Sequence, residues 1–461
     1  MYSDHLLIKS MKKLLFIINI CLCFGNETPL IFFPQVSSNY FSSGSINHMS
    51  QSGLSTITTL GLGAKKSEGN LLVSGLFQFS SAQNLNKRSV YFNPDLNIEM
   101  HRKYIDSDIS WFESSDLKIE YSKDSFSIFF GKFNTIWGSG KSSLFLSNNI
   151  PSFPHMGFTW DLTSELTLDY LVGSLTSNII DSTKSALYKN IGSRNNYYTR
   201  SIVAHRLVWK PIESISFKAM ESVIFGNRGI DIHYLLPFVP FWSMQHYTGD
   251  LDNVQMCGEI NWNLNENWKV FGSLFIDEWR PEWTFNKNNR NWFGWQIGGI
   301  GNSIFTANDR LRFEHTWTDH RIYRHRFRIN DSYSFQYSLG FWAGPHAEES
   351  YLSYLLPIKG YNIYSYISKV KRGELTDQML EGQYQNIYYD RFSNTLESRF
   401  VASIVCTKGF LNDKILLKIG GEWIDWKNAG FDPLQSTISG KDVSKFSILI
   451  SVKAITPISF N

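Results

Sequence analysis

The stretch Val254–Trp279, VQMCGEINWNLNENWKVFGSLFIDEW, decides how this chain is read. From Val254 the even positions are Val254, Met256, Gly258, Ile260, Trp262 and Leu264; the odd ones are Gln255, Cys257, Glu259, Asn261 and Asn263. Strict period-two alternation puts apolar groups on one face of a β-strand and polar groups on the other. Asn265-Glu266-Asn267 then supplies residues suited to a tight turn. Alternation restarts with Trp268, Val270, Gly272, Leu274 and Ile276 against Lys269, Phe271, Ser273, Phe275 and Asp277. Each arm has the length of a membrane-crossing β-strand, roughly 9–11 residues. Strands of soluble sandwiches are commonly shorter, about 5–6 residues. Trp262 and Trp268 flank the turn, where an interfacial aromatic girdle lies. The hairpin therefore predicts a transmembrane barrel over a soluble sandwich.

Composition agrees. The 461 residues carry 44 Lys and Arg against 41 Asp and Glu, a formal charge of +3 that gives no argument for nucleic acid. Aromatic residues make up 16%, the level that interface girdles demand. Mean hydropathy is −0.22, and past the N-terminus no apolar run reaches the ~18 residues of a spanning helix. At the N-terminus Lys9, Lys12 and Lys13 precede the apolar run Leu14–Phe24, which predicts a secretory signal over residues 1–25, with Met1 or Met11 as its start. Cys21 and Cys23 lie inside that run without the small residues of a lipoprotein site. Cys257 falls on the polar face of its strand and Cys406 on the apolar face of its own, so no disulfide is expected.

The Ser-, Asn- and Gly-rich residues 26–50 read as a leader, and 51–461 as one barrel domain. Thr56–Leu62 pairs with Leu71–Phe79, Leu117–Tyr121 with Phe126–Phe130, and two strands cover Gly157–Gly173. Val203–Trp209 pairs with Ile212–Phe225, in which Glu221 falls on the apolar face. A carboxylate facing lipid is costly, so a β-bulge is expected near Ala219–Met220 to turn it inward. Asn227–Asn253 reads as a folded-in loop. Trp292–Gly299, Arg310–Thr318, Arg321–Asn330, the alternating Tyr333–Phe341, Tyr351–Leu356, Tyr361–Ser368, Leu396–Cys406, Lys414–Trp423 and Phe446–Ala454 complete an all-β, antiparallel transmembrane barrel of about 16–18 strands.

Three features carry candidate chemistry. Trp137-Gly138-Ser139-Gly140 sets flexible backbone beside a large ring, which suits a constricted turn folding into the lumen. A phosphate loop is excluded, because Lys141-Ser142-Ser143 opens no helix. Asn148 and Asn149 offer amides suited to sugar hydroxyls and equally to capping a turn. In HRIYRHRFRIN (320–330), an extended backbone would put Arg324, Arg326 and Arg328 on one face, where they would attract an acidic glycan or be neutralised within the lumen. No nucleophile–base pair, metal-binding His pair or positioned carboxylate pair stands out, so neither catalysis, a metal nor a cofactor is expected.

FGKFNTIWGSGKSSLFLSNNIPSFP (130–154), the run from His205-Arg206-Leu207 through Glu221, Pro237 and Phe238 to FGSLFIDEW (271–279), and the weaker LRFEHTW (311–317) with LGFWAGPHAEE (339–349) together resemble the capsule-assembly Wzi family. The resemblance implies an eighteen-stranded outer-membrane barrel that binds capsular or other surface polysaccharide; by their own chemistry Trp137, Asn148, Asn149, Arg324, Arg326 and Arg328 are the candidates for contact with it. The resemblance also implies a lumen charge network of His205, Arg206, Glu221, Glu259, Asp277, Arg312 and Glu314. Outer-membrane lipid and the barrel assembly machinery follow as partners. A substrate-specific porin is the alternative on the same architecture, and a secreted glycan-acting enzyme a third. The barrel reading predicts that the processed protein stays with membranes through an alkaline wash and is released by detergent; a chain freely dispersed in buffer would contradict it.

Overall fold

The computed structural model describes residues 29–43, 54–83, 109–185, 195–280, 291–376, 378–379, 382, 391–393, 395–429 and 440–460. Eighteen antiparallel strands close into one barrel. They are β1 Leu30–Phe41, β2 Ser55–Glu68, β3 Leu71–Gln83, β4 Ile109–Lys123, β5 Phe126–Phe133 and β6 Phe153–Asp161; then β7 Leu166–Ile180, β8 Tyr197–Ile212, β9 Ile215–Gly226, β10 Asn253–Asn263, β11 Trp268–Glu278 and β12 Trp292–Asn302. The last six are β13 Arg310–Thr318, β14 Ala347–Ile358, β15 Tyr361–Gly373, β16 Leu396–Phe410, β17 Ile415–Ala429 and β18 Lys441–Ile455. β1 closes the ring against β18, with Ser37 opposite Lys453 and Tyr40 opposite Ile450. Pro457 has no N–H for the ladder, and pairing resumes beyond it, Ile458–Phe460 running along Leu30–Phe32. The Phe460 ring packs edge-on against Phe32, centroids 5.4 Å apart.

Register carries the alternation of the opening hairpin around the wall. Ile260 lies opposite Phe217, Phe217 opposite Trp209, and Phe130 opposite Met156. All of these are exposed, as are Ile128, Leu207, Leu274, Ile297 and Ile404. They form the outward apolar belt, while their neighbours in sequence point inward. Short turns such as Gly69-Asn70, Asp124-Ser125 and Lys359-Gly360 join strands at one end, and long connections at the other, the arrangement of outer-membrane barrels with short periplasmic turns.

Several expectations change. The signal segment lies outside the described residues, but Leu30–Phe41, assigned on composition to the leader, is the strand that closes the barrel. Ser37 and Asn39 sit on its inward parity, where polarity is normal, and the outward Ser38 meets the Thr58 hydroxyl at 2.9 Å. Arg321–Asn330 and Tyr333–Phe341 are not wall strands. They belong to the 319–346 connection, which folds into the lumen with only a two-residue ribbon, Tyr333–Ser334 against Tyr337–Ser338. Burial there does not follow the alternation: Ser334, Ser338 and Gly340 are buried while Tyr333 and Phe335 are half-buried, because both parities are packed within the lumen. No bulge lies near Ala219–Met220: β9 pairs without a register shift from Ile224 to Ile215 on its β10 side. Glu221 stays on the outward face. The connection 227–252, expected to fold inward, runs over the outer wall and covers it.

The parity argument predicts a contrast between neighbours on β16. Ile404→Arg, on the lipid side, should cost about 2–4 kcal/mol if it lies near the midplane, and Ser403→Arg, on the lumen side, much less. Urea titration of the folded protein in lipid vesicles reads both.

Candidate functional site

Two connections fill one side of the lumen. Residues 134–152 cross from β5 to β6 by way of the opposite wall, and 319–346 fold down from β13. Trp137, Leu144, Phe145, Leu146, Ile150, Tyr323, Leu339 and Phe341 pack with inward residues of β6 to β15, such as Leu171, Ala204, Phe275 and Val370. The segments are stitched together: the Tyr323 hydroxyl donates to the Leu144 carbonyl at 2.6 Å, and the Ser147 N–H to the Leu339 carbonyl at 2.8 Å.

Carboxylates on the wall grip the backbone of the first segment. Glu259 on β10 accepts the Ser139 N–H at 2.9 Å, and its other oxygen lies 2.7 Å from the Ser139 hydroxyl and 2.6 Å from Lys218 Nζ. Glu314 on β13 accepts the Lys141 N–H at 2.9 and 3.0 Å and pairs with Arg312. Arg312 Nη2 reaches the Ser139 carbonyl at 2.6 Å. Two glycines make this approach possible. Gly138 has φ +131°, and a Cβ there would sit 2.1 Å from Ser143 Oγ; a Cβ on Gly140 would lie 2.0 Å from Gln296 Oε1. Arg206, paired with Asp169 at 2.8 Å, lies over the Trp137 ring, 4.9 Å from its centroid. Asp277 accepts the Tyr323 N–H and the Gln255 amide.

Arg206, Glu259, Asp277, Arg312 and Glu314 thus point inward and hold the plug. His205 and Glu221 do not join them: they face outward under the 227–252 connection, with His205 Nε2 3.0 Å from Glu221. Arg324, Arg326 and Arg328 share no face, because their segment is a series of turns. Arg324 is buried 3.4 Å from Asp331 and lies over Tyr333, Arg326 is exposed beside Asp250, and Arg328 opens a 3-10 turn. Trp137 is buried in the plug. Asn149 caps its own loop through Ser142 and Ser147, and Asn148 beside it is exposed. Cys257 and Cys406 are both free thiols. Among the described residues no His, Cys, Asp and Glu group is placed to hold a metal ion.

The other side of the lumen is lined differently. From β15 through β18 and β1 to β4 the inward rows carry Tyr364, Thr407, Lys418, Ser451, Lys453, Ser37, Asn39, Gln78, Ser74, Lys65 and Lys118. Tyr364 is 36% exposed although it faces inward, and Lys65 and Lys418 are exposed as well. Lys118 pairs with Glu120 at 2.8 Å. Lys65, Lys418, Lys445 and Lys453 have no carboxylate within ion-pair distance among the described residues. Sequence reading missed this lysine row, though its signal was present: Phe446, Ile448, Ile450 and Val452 are outward, which fixes Lys445 and Lys453 as inward.

No family model matches the chain, and no curated protein matches its sequence. Solved structures do. Acinetobacter baumannii OccAB2 aligns with a TM-score of 0.50 at 9% identity, covering 94% of this chain and 98% of that one. Pseudomonas aeruginosa OccK8 (OprE) gives 0.50 at 8% identity, with 94% and 98% covered. Pseudomonas aeruginosa OprD gives 0.45 at 9% identity, with 94% and 96% covered. The fold is that of these outer-membrane barrels, and the chain is an outer-membrane protein. The resemblance to capsule-assembly proteins is overturned: the solved barrels that align along this chain with a TM-score of 0.50 are OccAB2 and OccK8 (OprE), and the arginine face offered for polysaccharide does not form.

The Glu259 grip is open to test. Glu259 is buried with Lys218, and removing one partner of such a pair typically costs about 3–5 kcal/mol. Glu259→Ala should lower the urea midpoint in lipid vesicles accordingly, and Lys218→Met with Glu259→Leu should recover part of the loss.

Proposed function

We propose that this protein is a substrate-selective channel of the outer membrane that passes small, polar, anionic solutes without chemical change. The observation that carries the reading is the division of the lumen. One wall is sealed by a packed plug around which Glu259 pairs with Lys218, Glu314 with Arg312 and Arg324 with Asp331; the opposite wall is polar and partly exposed. Along that wall Lys65, Lys418 and Lys453 leave positive charge uncompensated by nearby carboxylates, and Lys445 lies near Glu422 on the same face. A positive field in a narrow, low-dielectric passage concentrates anions and repels cations. Serine, threonine, asparagine and tyrosine side chains on the same wall supply hydrogen bonds that replace part of a solute's hydration shell. The solved barrels with the same fold include channels named OccAB2 and OccK8, which agrees with this reading.

Planar-bilayer recording tests it. Purified protein should give discrete unitary currents, and a KCl gradient should give a reversal potential on the anion-preferring side. Lys418→Glu with Lys453→Glu should move that potential toward cation preference and leave the folded barrel intact by its resistance to cold SDS. A barrel without unitary currents, or a reversal potential indifferent to these lysines, would overturn the proposal.

A further inference from the structure

The connection 227–252 leaves the top of β9, runs down the outer surface and returns to β10. Tyr234 and Phe241 are fully buried against the outward residues Tyr170, Val203, Val223 and Val254. The Tyr170 hydroxyl donates to the Tyr234 carbonyl at 3.0 Å. Glu221 accepts the N–H groups of Phe241 at 2.8 Å and Trp242 at 2.6 Å, and the His205 ring stacks on Phe241 with centroids 4.3 Å apart. Phe238 meets the ring of Trp160 edge-on, at 6.2 Å, close to the short-turn end of β6. The segment therefore reaches across the apolar belt and does not stay at the rim.

Its charges are confined to its two roots. Arg228 pairs with Asp231 at 3.4 Å and with Asp252 at 2.5 Å, and Asp250 lies beside Arg326. Between them, Ile232–Tyr247 (IHYLLPFVPFWSMQHY) contains no Asp, Glu, Lys or Arg, in a chain that is 18% charged. Its outer face shows Ile232 at 74%, Phe238 at 61%, and Leu236 and Trp242 at 49% exposure. Exposed loops of water-soluble surfaces do not select such a run. Much of the backbone is provided for as well. The N–H groups of His233, Tyr234, Val239, Phe241, Trp242, Ser243 and Met244 have acceptors within the protein, and Pro237 and Pro240 have no N–H to satisfy. Each such bond lowers the cost of irregular backbone at membrane depth.

We propose that residues 232–247 form a lipid-facing apron, whose outer side contacts lipid acyl chains while its inner side seals the Glu221–His205 pair from them. The apron continues the belt of Ile128, Phe130, Met156 and Trp160, and an ionisable pair in the outer wall is tolerable because the apron donates two N–H groups to it. This assignment stands independently of what the lumen conducts.

Nitroxide labels decide it. In a Cys406→Ser background, with Cys257 buried, cysteines replace Leu236 and Phe238 singly in protein reconstituted into phosphatidylcholine vesicles. Ile128→Cys serves as the lipid reference and Glu266→Cys, in a short turn, as the aqueous one. Collision with oxygen should exceed collision with a water-soluble nickel complex several-fold at 236 and 238, as at 128 and opposite to 266. Labels relaxed mainly by nickel would overturn the apron. So would labels shielded from both reagents and dipolar-coupled between copies, which would make this face a contact between subunits. Should either variant fail to fold, Ile232→Cys, at an exposed position of the same face, gives the same readout.

Discussion

The rest of this structure depends on one constraint: a backbone crossing hydrocarbon must satisfy every N–H and C=O from within the protein. A sheet can do this only by having no edges. The pairing of β1 with β18, extended past Pro457 by Ile458–Phe460, is therefore the contact without which the other strands would present open ladders. Once the ring is closed, parity does the rest. Every second side chain is committed to lipid and every other to the lumen, so one row of register fixes the environment of a whole strand.

The same constraint explains the two ways in which long connections leave the rim. Residues 134–152 and 319–346 enter the lumen, where wall carboxylates accept backbone N–H groups at Ser139, Lys141 and Tyr323. Residues 227–252 go outward, and there another wall carboxylate, Glu221, accepts the N–H groups of Phe241 and Trp242. In each case a strand supplies a fixed anionic acceptor and an irregular segment supplies donors. Because the strands are rigid, the segments are held at chosen depths, and the lumen is divided into a packed half and a polar half. That division is the basis of the proposed selection among solutes by charge.

The Glu221 position shows how a sound local rule meets a tertiary exception. The rule that carboxylates avoid lipid is correct, and a bulge would have obeyed it. The chain obeys it differently, by folding 26 residues (227–252) over the carboxylate. The arginines at 324, 326 and 328 teach a related lesson. Their alternation suggested a shared face, but they lie in a series of turns, Arg324 buried and Arg326 and Arg328 exposed, where spacing along the chain no longer sets direction.

The sequence by itself determined that this is an all-β membrane barrel, where most wall strands lie, and which face of each meets lipid. These follow from period-two patterning and turn chemistry, which are local. It also placed Trp137–Gly140 in a constricted inward turn, since a ring beside flexible glycines needs no distant partner to be recognised. Only the tertiary structure decided which connections fill the lumen and which wrap the wall, that Leu30–Phe41 closes the ring, and that scattered lysines share one open face. Those outcomes rest on contacts between residues tens to hundreds of positions apart. No window of the chain contains both members of such a contact, and the polar composition of a loop reads the same whether it turns inward, outward or back into the sheet.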